Sequence, residues 1–159
     1  MVDVAKMEAQ LILHEGEVLH YYEDNADPSN KTWGIGYNVS ARGVGQIQAI
    51  IGRKLDEAGT CTSLEARKVL HYDINRCQAS VQVYFPEYVK LSEIRQRVCL
   101  DVAFNIGFKA LGFKKTMAAI KAGDWSTAAR ELHKSALAKQ TGERNERLAR
   151  MLLTNEDYA

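Results

Sequence analysis

Apolar residues recur at helical spacing along residues 3–14, where Val4, Met7, Leu11 and His14 fall on one side. That spacing predicts a short amphipathic helix, ended by Gly16. The pattern then changes. VLHYY (18–22) and TWGIGYNV (32–39) are rich in β-formers, with the turn-rich EDNADPSNK between them. They predict an antiparallel hairpin, with a short third strand near residues 39–42. From residue 44 the period is helical again. Residues 43–52 form a short helix ending at Gly52, and Thr62-Ser63-Leu64-Glu65 has the spacing of a capping box. The box opens a long helix to about Val83, with Val69, Ile74, Cys77 and Val81 on its apolar face. Pro86 stops or bends the chain. Ser92 caps a second apolar helix, EIRQRVCLDVAFNIG, closed by Gly107, and further helices fit 114–122, 125–137 (Asp124 as N-cap) and 143–153.

The expected architecture is therefore α+β. A small β-containing lobe covers about residues 13–60. A connecting helix covers about 61–83. A larger helical lobe takes in about 84–159 together with 1–12. At 159 residues the lobes are expected to make a single domain, 1–159, and a monomer is expected. Apolar residues at 46% and charged residues at 26% are enough for a soluble globule with a real core.

The net charge of +1 hides an asymmetry. Residues 1–60 carry 9 acids against 5 bases, and residues 61–159 carry 11 acids against 16 bases. The basic part tolerates an anionic partner, yet no aromatic–basic platform points to nucleic acid. Cys61, Cys77 and Cys99 are odd in number and widely spaced, which fits reduced thiols better than a disulfide or zinc framework. The N-terminal MVDVAKMEAQLIL carries acids early and too short an apolar run for a signal peptide or a stable membrane insertion.

Nucleotide readings fail on the residues. GIG (34–36) runs into YNVSARG rather than completing GxGxxG, and GQIQAIIGRK (45–54) lacks the Lys-Ser/Thr ending of a P-loop. The four histidines form no HExxH, and no serine sits in GxSxG. The strand glycines instead suit the close approach of another backbone or a ligand.

That leaves carboxylates. Glu15 stands where a helix ends and a strand begins, between apolar Leu13 and Val18. Partial burial there raises a carboxyl pKa and suits a general acid. Asp24 follows the first strand in a polar loop, where it stays ionised. Two carboxylates in such different surroundings are what glycosidic cleavage uses. Thr32 opens the returning strand, near Asp24 if the hairpin closes, and can hold a water. Glu23 competes with Asp24 but points to the opposite face of the strand. The residues also leave room for solvated loop acids with no catalytic role.

Glu15-Gly16, Asp24 and Thr32 within TWGIGYN resemble the catalytic core of the tailed-phage lysozymes, the endolysins of glycoside hydrolase family 24. AFNIG (103–107) with GFKKT (112–116), DWSTAA (124–129) and KQTGERNERLAR (139–150) match three further blocks of that family, in order. The resemblance implies a lysozyme-like fold and a muramidase acting on peptidoglycan glycan strands, with no metal and no organic cofactor. It implies Glu15 as general acid, Asp24 and Thr32 as the residues that position the attacking water, and inversion at the anomeric carbon. It places Asn38, Phe104, Asn105, Thr116 and Glu131 along a substrate cleft and pairs Arg144 with the catalytic Glu. It also implies an enzyme held in the host cytoplasm until a separate holin-like protein lets it reach the periplasmic wall.

Two departures from the family stand out. Seven residues separate Asp24 from Thr32, more than is common. Tyr37 takes a position often held by a His that pairs with an acid of the long helix, here Asp73, so a Tyr37–Asp73 hydrogen bond is expected. Alternatives remain: a lytic transglycosylase, a catalytically inactive peptidoglycan-binding module and, more distantly, a nucleic-acid-binding helical domain.

Overall fold

Helix α1 (Val4–Glu15) buries Met7, Gln10 and Leu11, so the centre of the face read from the sequence meets a core, whereas Val4 at its start is exposed and His14 near its end is half-buried. Each fully buried Leu or Met side chain is worth about 1.5–3 kcal/mol. The computed structural model describes residues 1–23, 29–107, 113–135 and 142–158. These residues fall in two compact units, residues 4–74 and residues 1–3 with 75–159.

The first unit holds α1 and a three-stranded antiparallel sheet in the order β1-β2-β3. The strands are β1 (Val18–Glu23), β2 (Lys31–Gly34) and β3 (Tyr37–Asn38). β1 bulges between Val18 and Tyr21 before it pairs in register, Tyr21 with Trp33, Tyr22 with Thr32 and Glu23 with Lys31. The Tyr21 N–H donates to Ala58 (2.9 Å) and the Cys61 N–H to Leu19 (3.0 Å), so residues 58–61 cover part of the outer side of β1. Trp33 is fully buried, donates from its indole to the Gly59 carbonyl (2.8 Å) and meets Tyr37 edge-to-face at 6.4 Å.

The third strand lies earlier than predicted. Ile35-Gly36 breaks TWGIGYNV into two strands, and residues 39–42 form a short helix, α2 (Val39–Arg42), instead. The reason is local. The Asn38 side chain accepts the Ala41 N–H at 3.0 Å and caps the turn, which overrides the β-preference of Val39. Helix α3 (Gly45–Ile51) ends at Gly52 as expected.

Helix α4 (Ser63–Tyr84) begins in this unit and continues into the second. Its capping box is formed in both directions: the Glu65 N–H donates to Thr62 Oγ1 (3.1 Å) and the Thr62 N–H to the Glu65 carboxylate (3.0 Å). Val69, Leu70, Ile74 and Val81 are buried along it.

The second unit is helical among its described residues. Its elements are a 3-10 turn (Pro86–Lys90), α5 (Glu93–Ile106), α6 (Phe113–Ala122), α7 (Trp125–Lys134) and α8 (Gly142–Thr154). Ser92 and Asp124 cap α5 and α7 by accepting from the Arg95 and Thr127 N–H groups. Helix α8 packs on α5 and α7, and α6 on α7. Arg97 is wholly buried and holds both Glu93 and Asp157, which ties the last described residues to α5. The three cysteines are free thiols: Cys61 and Cys99 are buried, and Cys77 is half-buried. Among the described residues no helix is long and apolar enough to cross a membrane.

Candidate active site

Glu15 is the last residue of α1. The Gly16 N–H still donates to Ile12 (2.8 Å), but Gly16 itself adopts φ 74° and turns the chain into β1. The break is therefore a helix end followed by a left-handed residue, and it leaves the Glu15 side chain half-buried at the end of the helix.

The turn between β2 and β3 meets that side chain. A Cβ on Gly36 would lie 3.0 Å from Glu15 Cγ, Cδ and Oε2. Gly36 also has φ 66°. The sequence suggested that the strand glycines permit the close approach of another backbone or a ligand; at Gly36 the approaching group is instead a side chain, the Glu15 carboxyl.

Thr32 lies on the central strand, paired with Tyr22 on one side and Asn38 on the other. Directly opposed residues of antiparallel strands share a face, so two predicted site residues, Thr32 and Asn38, stand side by side. Thr32 is buried and Asn38 half-buried. The Asn38 side-chain oxygen is committed to the Ala41 N–H. Asp24 lies outside the described residues. Glu23 is exposed at the end of β1, across from Lys31.

The expected Tyr37–Asp73 hydrogen bond is not formed. The buried Tyr37 donates its hydroxyl proton to the Gly43 carbonyl at 3.0 Å. Asp73 is gripped by Arg42 through two hydrogen bonds, 2.8 and 2.7 Å, and the Arg42 guanidinium stacks 4.0 Å from the Tyr37 ring. A carboxylate gains more from a bidentate guanidinium than from a neutral phenol. The hydrogen bond to Asp73, reinforced by its charge, raises the Arg42 pKa above its ordinary value. An ion pair still braces the end of the sheet, but its cation comes from α2.

The other predicted residues belong to the second unit. Phe104 and Asn105 are half-buried in the last turn of α5, and Glu131 is half-buried on α7. Thr116 is inside the unit, 2% exposed, and its hydroxyl faces apolar side chains of α5 and α6 with no hydrogen-bond partner among the described residues. Arg144, on α8, is buried. Its Nε and one terminal nitrogen each lie 2.7 Å from Asp101 Oδ1, and Asp101 is fully buried.

Sequence reasoning missed Arg42, Gly36 as the neighbour of Glu15, and Asp101. Asp101 alone had a local signal, as a single acid inside the apolar run VCLDVAF. Among the described residues no group of three or more His, Cys, Asp or Glu could hold a metal ion.

A half-buried carboxyl fixed at a helix end against a glycine turn can deliver a proton to a group seated beside that turn. Residues 13–150 of the chain match the sequence model of a family described as phage lysozyme. A comparison with curated proteins gives no match.

Proposed function

The chain belongs to the phage lysozyme family, and from that premise we propose that it hydrolyses the β-1,4 bond between N-acetylmuramic acid and N-acetylglucosamine in peptidoglycan. As a member it is a muramidase-type endolysin. The finer reading assigns roles to residues. Glu15 gives its proton to the glycosidic oxygen as the bond to the anomeric carbon breaks. Asp24 takes a proton from water, and the water oxygen bonds to that carbon from the opposite face, with inversion. Thr32 holds the water. Asn38, beside Thr32 on β3, contacts the sugar on the sheet side. By the family resemblance, Phe104, Asn105 and Glu131 are further candidates for contacts to the glycan.

The observation that carries this reading is the seating of the Glu15 carboxyl against Gly36, where the helix end and the TxGxG turn meet. Both features belong to the stretch on which the family match begins. Support for Thr32 comes from its pairing with Asn38 at the centre of the sheet.

The test is E15Q assayed on purified wall fragments by turbidity and by release of reducing ends. Loss of nearly all activity in a folded variant is expected, and full activity would remove Glu15 from its role. Mass spectrometry of the products completes the test. Reducing muramic ends are expected, whereas anhydro-muramic ends would make the enzyme a lytic transglycosylase.

A further inference from the structure

The break at Glu15-Gly16 is tied to α4 from both sides. Before the break, Glu8 lies two helical turns ahead of Glu15 on α1 and is held by Arg67 (3.2 Å) and by His71 of α4. After it, Glu17 accepts a hydrogen bond from the Ser63 hydroxyl (2.7 Å) and lies 4.0 Å from Arg67 Nε. Arg67 therefore reaches a carboxylate on each side of Gly16. The glycine itself offers no side chain to fix its angle, and nothing lies within 4 Å of where its Cβ would be. The direction in which α1 delivers Glu15 to the Gly36 turn thus depends on what holds the two flanks.

We infer that Arg67 is a positioning residue for the reaction: it sets the angle of the helix-to-strand break and so holds the Glu15 carboxyl in place. The inference rests on the assignment of Glu15 as the acid. Arg67 is about half exposed, at 47% of its side chain, and exposed ion pairs of this kind add little to global stability. A proton donor is far less tolerant, because a displacement of about 1 Å can cost on the order of a hundredfold in rate. A residue of this kind shows itself in turnover before it shows in unfolding.

The experiment measures kcat and KM on solubilised glycan strands for R67M, R67K, E17A and the R67M/E17A double variant. R53M serves as control, since Arg53 forms a comparably exposed pair with Glu65 at the start of the same helix. R67M is expected to lower kcat by about three- to tenfold with KM within about twofold, the pattern of lost transition-state alignment. R67K is expected to recover part of the loss. The double variant is expected to be no slower than the worse single, because both remove one brace. R53M is expected to keep wild-type kcat.

A wild-type kcat for R67M, or an equal loss in R53M, overturns the inference. E15Q run in parallel separates the two readings. If E15Q is inactive and R67M fully active, the acid stands and the brace falls. If E15Q is active, the brace has no catalytic carboxyl to position and falls with it. Should R67M fail to fold, E17A, which leaves Arg67 paired with Glu8, decides the same question by its kcat.

Discussion

The Glu15 carboxyl lies so close to Gly36 that a methyl group there would sit 3.0 Å from three of its side-chain atoms. G36A therefore adds two penalties. The backbone, at φ 66°, costs about 1–2 kcal/mol for any L-residue. The new methyl also pushes the carboxyl from its seat, and a kcat loss of about tenfold or more is expected. G52A separates the two effects, because Gly52 is left-handed, with φ 76° and ψ 20°, and has open space at its Cβ position. G52A should show a similar fall in melting temperature with kcat preserved. Equal kcat values for the two variants would remove the contact as a determinant of activity.

Much of this arrangement was legible because its signals are local. The Gly16 stop, the Thr62–Glu65 box and the Ser92 and Asp124 caps each need only three or four adjacent residues, and each formed as read. What failed needed a choice between competing partners. VSAR reads as strand by composition, but the Asn38 cap turns it into helix α2. Family position points Asp73 to Tyr37, while the guanidinium that takes it lies 31 residues away on α2, where composition favours strand. At the site, Glu15 could be found because a carboxylate at a helix break is visible in one dimension. Its neighbour could not, since nothing in GIG says which element approaches it. Asp24 falls outside the described residues, so the second carboxylate rests on the sequence and the family.

Arg53 and the Thr62 amide hold the Glu65 carboxyl down at about 2, against an ordinary 4.5. The folded protein therefore gives up this proton more readily than the unfolded chain does. The stabilisation is fully present above pH 4.5 and drains away as pH falls toward 2. E65Q keeps a capping-box side chain but loses the charge. Melting temperatures measured against pH should converge for the two proteins near pH 2 and separate above about 4.5, with wild type higher. Curves that stay parallel across that window would show that the pair contributes nothing to stability.

The thiols should differ sharply in reactivity. Burial pushes Cys99 up to about 12, and burial reinforced by the Glu65 charge pushes Cys61 up to about 11. Neither offers appreciable thiolate at neutral pH, and the thiolate is the reactive form. Cys77 is half-buried, with its Sγ 3.8 Å from the Leu100 carbonyl. Iodoacetamide treatment of the native protein at pH 8 should modify Cys77 first, with Cys61 and Cys99 labelled only after denaturation. Peptide mass mapping checks the order, and early labelling of Cys61 would contradict its burial.

Thr116 carries a hydroxyl into apolar surroundings lined by Val98, Val102, Phe113 and Ile120. With no partner for it among the described residues, the hydroxyl has exchanged water for nothing, a loss on the order of 1–3 kcal/mol. Valine has nearly the same shape without the polar atom. T116V is therefore expected to raise stability by about 1 kcal/mol, read as a higher urea midpoint at unchanged slope. The same variant tests the family-based assignment of Thr116 to the substrate cleft, because a side chain 2% exposed in the free protein reaches a sugar only if the surrounding helices open. Unchanged KM with a raised midpoint would make Thr116 a packing position. A raised KM with an unchanged midpoint would return its hydroxyl to the substrate.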